Sequence, residues 1–287
     1  MKVANEPVID IDHLRSWIGR KEEASDIISV DLVRKFNATL DLSTDLPKDG
    51  DIAPALIQYC LAQPEVATAL LGEDGHPQKG GFLPPVPLPR RMWAGSSIAF
   101  HGELKIGDEV RRVSKIAEVT MKEGRSGRLC FVTVEHTHDV AGTVLIEETQ
   151  DIVYREAATG PALRPDPREP GLVGMYHEPV SLSSPLLFRY SALTFNGHRI
   201  HYDRPYATGA EFYPGLVVHG PLQATLLLNY AERLKGSRPQ RFSFRGQSPV
   251  FDHDLVSIHA IDDSDRLKLW TAVDGGPVGL SAEARWS

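Results

Sequence analysis

The sequence predicts an α+β protein made of two similar halves, each with helical or irregular segments followed by an antiparallel sheet. Residues 96–156 alternate apolar and polar side chains and are interrupted by "KIGDE", "KEGRSGR" and "DVAGT", a pattern typical of about four strands joined by turns. The alternation returns in "QRFSFRGQSPVF", "LVSIHAIDDS" and "RLKLWTAVDG", which predict three more strands. No strong residue identity links the halves, so the internal duplication is a prediction from pattern alone.

The composition is that of an ordinary globular chain, with 287 residues, 41% hydrophobic and 24% charged, and a formal net charge of -7. No block of like charge is present, so we expect no nucleic-acid partner. No run approaches the roughly 18 apolar residues of a transmembrane helix, and no signal-like segment opens the chain. We therefore expect no membrane partner and a cytoplasmic location. The two cysteines, Cys60 and Cys130, are too few for a disulfide scaffold.

The predicted organisation has three parts. Residues 1–156 form the first half, residues 157–172 a proline-rich linker, and residues 173–287 the second half. In the first half, "APALIQYCLAQPEVATALLG" predicts one or two short helices and "HPQKGGFLPPVPLPRRMWAG" a loop. In the second half, "LLFRYSALTF" predicts a strand and "GLVVHGPLQATLLLNYAERLKG" a long helix. The apolar stripe of that helix is formed by Ala224, Leu227, Leu228 and Ala231.

A short polar stretch between that strand and the long helix concentrates groups that can move protons. "TFNGHRIHYD", Thr194–Asp203, holds His198, His201 and Asp203 within six residues. Imidazole titrates near neutral pH, which makes these histidines candidate acids or bases. The glycine of "GLVVHGPL" precedes the long helix, where backbone N–H groups and the helix dipole favour negative charge.

These two stretches resemble the signatures of the MaoC-like hydratases and dehydratases. The family's motif S-G-D-x-N-P-I-H-x-D corresponds to "TFNGHRIHYD", and its aliphatic stretch ending in His-Gly corresponds to "GLVVHGPL". The first half, with "RRMWAGSSIAFHGELKIGDEV", resembles a double hot-dog subgroup that includes 3-hydroxyacyl-thioester dehydratases, mesaconyl-C4-CoA hydratase and itaconyl-CoA hydratase. The resemblance implies a double hot-dog fold, with two antiparallel sheets each wrapping a central helix, and an acyl-CoA thioester as substrate.

The resemblance also implies site residues. The family's catalytic His corresponds to His201 and its oxyanion-hole Gly to Gly220, whereas its catalytic Asp corresponds to Asn196, which cannot act as a base. The predicted catalytic set is His201, Asn196, His198 and Asp203. The predicted substrate-binding residues are Arg199, Arg189, Tyr190, Gly215, Val218 and His219.

Hydration of an enoyl thioester requires a base for water, a proton for the α-carbon and donors for the thioester oxygen. We expect His201 to act as the base, Asn196 to position the water and the Gly220 N–H to bind the oxygen. His198 or Asp203 would handle the second proton. A metal bound by "HRIH" and the aspartate is disfavoured because the Glu of an HExxH helix is missing. We therefore expect no metal, and no cofactor beyond the CoA of the substrate.

Structural roles remain alternatives for the same residues. Asn196 could be a helix cap, Asp203 could pair with Arg199 or Arg204, and Gly220 could be required only by a turn. Basic residues could bind the CoA phosphates after the long helix, at Arg233, Lys235, Arg238 and Arg241. A dicarboxylic acyl group would need a cation in the pocket, for which the candidates are Arg90, Arg91, Arg189, Arg199 and Arg245.

The predicted function is a hydro-lyase acting on a short-chain enoyl-CoA, with itaconyl-CoA or mesaconyl-C4-CoA giving citramalyl-CoA as the first candidates. The alternatives are a 3-hydroxyacyl-thioester dehydratase of fatty-acid type, a hot-dog thioesterase and a non-catalytic acyl-CoA-binding subunit. In the first half, "FNATLDLSTD", Phe36–Asp45, resembles a degenerate motif without histidine, so we expect one active site per chain. The resemblance further implies a homodimer.

Overall fold

The computed structural model describes residues 9–124, 127–158, 160–161 and 173–286. Of the predicted linker, residues 157–172, only residues 157, 158, 160 and 161 are among those described. The strands are β1 (Lys21–Ile27), β2 (Arg90–Phe100), β3 (Glu109–Gly124), β4 (Gly127–Val140), β5 (Thr143–Arg155), β6 (Tyr176–Val180), β7 (Arg241–Gly246), β8 (Val256–Asp263), β9 (Arg266–Val273) and β10 (Val278–Arg285). The α-helices are α1 (Ile11–Arg15), α2 (Val30–Leu40), α3 (Ser184–Leu193), α4 (Arg204–Gly209) and α5 (Gly220–Lys235). Short 3-10 helices lie at Ile57–Cys60, Thr68–Leu70 and Arg199–His201.

The strands form one antiparallel ten-stranded sheet in the order β1-β3-β4-β5-β2-β7-β10-β9-β8-β6. Each half has the same strand order when it is followed from its outer edge to the middle of the sheet. The matching strands are β1 and β6, β2 and β7, β3 and β8, β4 and β9, and β5 and β10. The halves meet where β2 pairs with β7, with Ser97 opposite Ser243. The two sheets of the predicted double hot dog are therefore joined edge to edge. Because β2 and β7 are hydrogen-bonded to each other, neither half has an unpaired strand edge in the middle of the sheet.

The two halves differ in their central segment. In the second half the sheet packs against α5, and Ala224, Leu227, Leu228 and Ala231 are all fully buried, which confirms the predicted stripe. The corresponding segment of the first half, residues 41–89, is irregular and contains only short 3-10 turns. The central helix expected in the first half is thus replaced by this irregular segment.

Helix α3 occupies the stretch predicted as a strand, so that prediction was wrong. Ser183 caps the helix by accepting a hydrogen bond from the backbone N–H of Leu186, and Pro185 lies in the first turn, where a missing N–H costs nothing. Leu187, Tyr190 and Ser191 are buried on one face at helical spacing, while Phe188 is exposed. The apolar run therefore reflects a buried helix face and not a pleated strand.

Three strands lie where the pattern predicts none. β1 and β6 form the two edges of the sheet, and the sequence "KEEASDI" of β1 is mostly polar. β10, "VGLSAEAR", contains several small residues, and two of them, Ala282 and Ala284, are buried where the strand contacts α5. Small side chains such as alanine and glycine have weak strand propensity. The alternation of apolar and polar residues was therefore too weak to predict this strand.

One large hydrophobic core runs through both halves and includes α2, α3 and α5. A smaller core lies under α1 and the proline-rich loop, where Leu14, Val86 and Leu88 cover β3, β4 and β5. Both cysteines are buried and free. Within the described residues, no helix has the length and hydropathy needed to cross a membrane.

Candidate active site

His201 lies at the end of the 3-10 helix Arg199–His201, between α3 and α4, with 7% of its surface exposed. Its Nδ1 is 2.7 Å from the carbonyl oxygen of Val217, just before α5. A carbonyl can only accept, so Nδ1 carries the proton of the neutral ring. Nε2 therefore holds the free lone pair, which is the atom a general base needs.

Burial keeps this imidazole neutral. It lowers the pKa of His201 to about 4, although the hydrogen bond to the Val217 carbonyl acts in the opposite direction. At neutral pH the ring is therefore a base ready to accept a proton, and it becomes cationic only in acid.

His219 supports the ring of His201. The two imidazoles stack with centroids 3.6 Å apart and an angle of 20° between their planes. Nε2 of His219 lies 2.8 Å from the hydroxyl of Ser191, and the ring of Tyr190 contacts its edge at 5.2 Å. Burial holds the pKa of His219 well below its usual value, so the stack does not carry two charges. His219, predicted as a substrate-binding residue, thus contacts the proposed base, and Tyr190, predicted for the same role, contacts His219.

Asn196 organises the turn between α3 and the 3-10 helix. Its Oδ1 accepts a hydrogen bond of 3.0 Å from the backbone N–H of His198, and its own N–H donates to the Ser191 carbonyl. The preceding Phe195 has a φ of 48°, a left-handed conformation uncommon for a bulky residue. Among the described residues no acceptor contacts the Asn196 side-chain NH₂, which leaves that group able to bind water.

His198 lies between the proposed base and a loop from the first half. Its ring is edge-on to His201 at 5.3 Å and only 4.2 Å from the ring of His76. Only 7% of its surface is exposed, and burial lowers its pKa well below the usual value. The structure therefore brings His198 and His201 into one buried cluster.

Asp203 is occupied by structural partners. One oxygen accepts from the backbone N–H of Tyr206 and caps α4, and the other lies 2.7 Å from Nη2 of Arg199. These contacts hold the pKa of Asp203 below its usual value. The guanidinium of Arg199 also lies over the ring of Tyr206 and donates to the carbonyl of Glu73. Both charged residues of the motif are thus tied into the fold around the turn.

Gly220 is the first residue of α5, where the first backbone N–H groups have no intrahelical partner. A Cβ built there would meet only the Trp93 carbonyl, at 3.9 Å, and Gly220 is not among the glycines with positive φ. Neither packing nor backbone strain therefore explains the glycine. Gly215 is different, because a Cβ there would lie 2.8 Å from Oδ1 of Asp252.

Val218 and Arg189 lie outside the histidine cluster. Val218 is buried and its N–H donates to the carbonyl of Val250, which anchors the segment before α5. Arg189 is on the exposed face of α3. Three of the residues predicted to bind CoA phosphates already pair with carboxylates, in the pairs Arg233–Glu178, Lys235–Asp262 and Arg238–Glu232.

A loop of the first half docks onto the motif. The backbone N–H of Arg199 donates to the Asp74 carbonyl at 2.9 Å, and Gly75, with a φ of 87°, packs directly on Gly197. Within this loop, Nδ1 of His76 lies 2.9 Å from Oδ2 of Asp74. Asp74 and His76 were not among the residues predicted from the sequence. Their signal was "GEDGHP", an acid and an imidazole beside a glycine in an otherwise chemically bland loop.

The grouping of Asp74, His76 and His198 is the one set of metal-ligand type found within the described residues, with ligand atoms within 4.8 Å of one another. The carboxylate of Asp74 is already bonded to His76, and the charges of Arg91 and Lys79 act on the same groups. Two neighbouring cations disfavour a bound metal ion.

Comparison with known proteins shows the family of this chain. Residues 57–252 match the model of the family described as hydroxyacyl-thioester dehydratase type 2. The chain is 46% identical over 269 residues to the mesaconyl-C(4)-CoA hydratase of Chloroflexus aurantiacus, covering 93% of this chain and 95% of that protein. It is 30% identical over 260 residues to the mitochondrial hydroxyacyl-thioester dehydratase type 2 of Schizosaccharomyces pombe, covering 79% and 83%.

A solved structure gives the same result for the fold. A Mycobacterium tuberculosis protein described as having a double hotdog fold superimposes with a TM-score of 0.55 at 14% identity, covering 93% of this chain and 96% of that one. The predicted double hot-dog class is therefore confirmed. The chain belongs to the hydroxyacyl-thioester dehydratase type 2 family and is an enzyme of the hydratase/dehydratase class.

Proposed function

We propose that the enzyme adds water to the short dicarboxylic thioester mesaconyl-C4-CoA, giving citramalyl-CoA, with Nε2 of His201 as the base. The observation that carries the mechanism is the hydrogen bond from Nδ1 of His201 to the Val217 carbonyl, because it fixes the tautomer with a free Nε2. The substrate class is supported by the relative named mesaconyl-C(4)-CoA hydratase, at 46% identity over most of both chains.

The proposed reaction needs a single base. Nε2 of His201 removes a proton from water while the water oxygen bonds to the β-carbon, and the electrons of the double bond move towards the thioester oxygen. The backbone N–H of Gly220 at the start of α5 stabilises the resulting enolate. The imidazolium then returns its proton to the α-carbon, so water is added overall and the base is regenerated.

Asn196 replaces the family's aspartate as a group that positions water. Its free side-chain NH₂ can donate to the water oxygen, and the adjacent His201 then takes the proton. Asp203 is left out of the proposed reacting set because both its oxygens bind structural partners. His198 is a buried neighbour of the base and not a required second acid.

A second candidate substrate class is a monocarboxylic 3-hydroxyacyl thioester. It is favoured by the family description and by the Schizosaccharomyces pombe relative. Itaconyl-CoA is a further dicarboxylic candidate, since its hydration gives the same product.

The test is to incubate the enzyme with mesaconyl-C4-CoA, itaconyl-CoA and crotonyl-CoA and to follow the mass of each thioester. The proposal predicts a gain of one water on mesaconyl-C4-CoA. A gain on crotonyl-CoA alone would assign the enzyme to monocarboxylic chains. Release of free CoA, detected with a thiol reagent, would indicate a thioesterase, and binding without any change in mass would indicate a non-catalytic subunit.

On the family resemblance, we also propose that the enzyme is a cytoplasmic homodimer and needs no cofactor beyond the CoA of its substrate. Two buried free thiols are compatible with a reducing compartment. Light scattering of the purified protein tests the dimer, and extensive dialysis against a chelator without loss of turnover tests the absence of a metal requirement.

A further inference from the structure

A small pocket beside the proposed base is lined by charged side chains of both signs. Its lining includes Asp74, Arg90, Arg91, His198, Glu211 and Tyr213. His198, which faces this pocket, is in edge contact with His201, so the pocket adjoins the place where water must react.

The structure distinguishes among the arginines that could neutralise a second carboxylate of the substrate. Nε of Arg90 lies 2.6 Å from Glu211, and Arg199 is paired with Asp203. Arg189 and Arg245 are exposed, on α3 and β7. For Arg91 no described carboxylate lies within ion-pair distance, and its charge opposes the burial that raises the pKa of Tyr154.

The remaining charges around Arg91 do not balance. The carboxylate of Asp74 interacts electrostatically with Arg91, and it is also hydrogen-bonded to His76. The ammonium of Lys79 is a second cation in the same group and donates to the carbonyls of Val86 and Leu88. Burial and the Arg91 charge lower the pKa of His76, so the ring is neutral. Two cations thus face one carboxylate, and a half-buried cation without a full counter-charge favours an anion.

The chemistry of mesaconate, a methyl-branched unsaturated diacid, specifies where that anion would lie. In its enoyl thioester the free carboxylate is attached to the β-carbon, the atom that water attacks. A cation that binds this carboxylate must therefore lie beside the general base. The phosphates of CoA lie at the far end of the pantetheine arm and cannot reach the same place.

We infer that Arg91 binds the free carboxylate of the acyl group and is the residue that selects dicarboxylic over monocarboxylic thioesters. The inference rests on the proposed function and deepens it. It replaces Arg189 and Arg199, which the sequence favoured for this role, by a residue at the beginning of β2. The guanidinium offers two parallel donors to a carboxylate and needs no proton transfer.

The test measures equilibrium binding by calorimetry, with succinyl-CoA and butyryl-CoA as unreactive probes that differ only in the terminal carboxylate. We expect the wild type to bind succinyl-CoA at least about tenfold more tightly than butyryl-CoA. The Arg91→Gln variant should bind the two probes with about equal affinity, and its affinity for butyryl-CoA should stay within about twofold of the wild type. Arg91→Lys should retain part of the preference, because it keeps the charge but loses the paired donors. Arg34→Gln, on the exposed surface of α2, is the matched control and should keep the full preference.

Three results would overturn the inference: a wild type that binds both probes equally, an Arg91→Gln variant that keeps its preference, or a variant that loses affinity for both probes alike. The last result would mean that Arg91 binds a part of CoA common to both. Circular dichroism of each variant shows whether it is folded. If Arg91→Gln is unfolded, the preference of Arg91→Lys for succinyl-CoA over butyryl-CoA is the test. Because binding needs no turnover, a failure of the hydratase proposal would appear in the mass assay alone.

Discussion

Helix α5 and the irregular segment 41–89 occupy corresponding places in the two halves, between matched helices and matched strands. The second half keeps a regular helix whose buried stripe fills the sheet and whose first residue, Gly220, offers free N–H groups. The first half lacks such a helix. Its irregular segment leaves the sheet and carries Asp74 and His76 onto the motif of the second half.

The difference teaches how one active site arises from two similar halves. The half with the helix supplies the base and the oxyanion donor, which require fixed positions. The half without it supplies a docking loop and, at the start of β2, the cation that we infer selects the substrate. "FNATLDLSTD" lies at the end of α2 and in the loop after it, as the working motif lies after α3. It contains no histidine that could form a second site.

The largest effect is expected from the half that carries the base. His201→Asn should reduce kcat for hydration of the enoyl-CoA substrate by about a thousandfold, since the side-chain amide cannot accept a proton. Affinity for butyryl-CoA should stay within a few-fold of the wild type. The exposed His101→Asn variant is the control and should retain full turnover. Residual activity above about a tenth of the wild type would reject His201 as the base.

The docking of the first half is tested by two glycines of its irregular segment. Gly75 and Gly50 have nearly the same φ, 87° and 86°, but a Cβ at Gly75 would overlap the Gly197 carbonyl and one at Gly50 would meet nothing within 4 Å. Gly50→Ala should lower the free energy of unfolding by about 1 kcal/mol, and Gly75→Ala by about 3 kcal/mol. Urea denaturation measures both. Equal losses would mean that the loop does not need its close contact with the motif.

The start of α5 is tested by Gly220→Ala. There is room for the methyl group on the protein side, so the unfolding midpoint should change little. On the substrate side the methyl should obstruct approach to the N–H, and we expect kcat/KM to fall by about thirtyfold. Unchanged kcat/KM would show that the oxyanion lies elsewhere.

A buried carboxyl in the first half gives a smaller, pH-dependent effect. Burial raises the pKa of Glu148 from 4.5 to about 7, against the hydrogen bonds of Ser96 and Tyr59. The folded state therefore holds a proton that the unfolded state releases. The stability contributed by this group is complete below about pH 4.5 and is lost as the pH rises through about 7.

Glu148→Gln removes this penalty and should raise the free energy of unfolding by about 2 kcal/mol at pH 8, with little change at pH 5. Glu147→Gln, at an exposed neighbouring position, should show neither effect. Thermal unfolding at the two pH values gives the comparison. Destabilisation of Glu148→Gln at pH 8 would show that the charged carboxylate is needed in the fold.

The sequence predicts the second half better than the first. Its stripe at Ala224, Leu227, Leu228 and Ala231 and the His-Gly before it are local signals, so periodicity and motif are enough. The strand predicted at α3 failed because a short buried helix face and a buried strand have the same apolar run. Asp74 and His76 were not found, and Arg91 could not be distinguished from four other candidate arginines, because these positions depend on long-range docking of a segment without periodicity.

The proposed mechanism depends on the tautomer of His201, which can be observed directly. The measurement is the ¹⁵N chemical shift of the histidine ring nitrogens as a function of pH, with His201→Asn used to assign the signals. We predict a protonated Nδ1 and an unprotonated Nε2 at pH 5 and above, with titration only near pH 4. A proton on Nε2 at neutral pH, or titration near the ordinary histidine value, would contradict it.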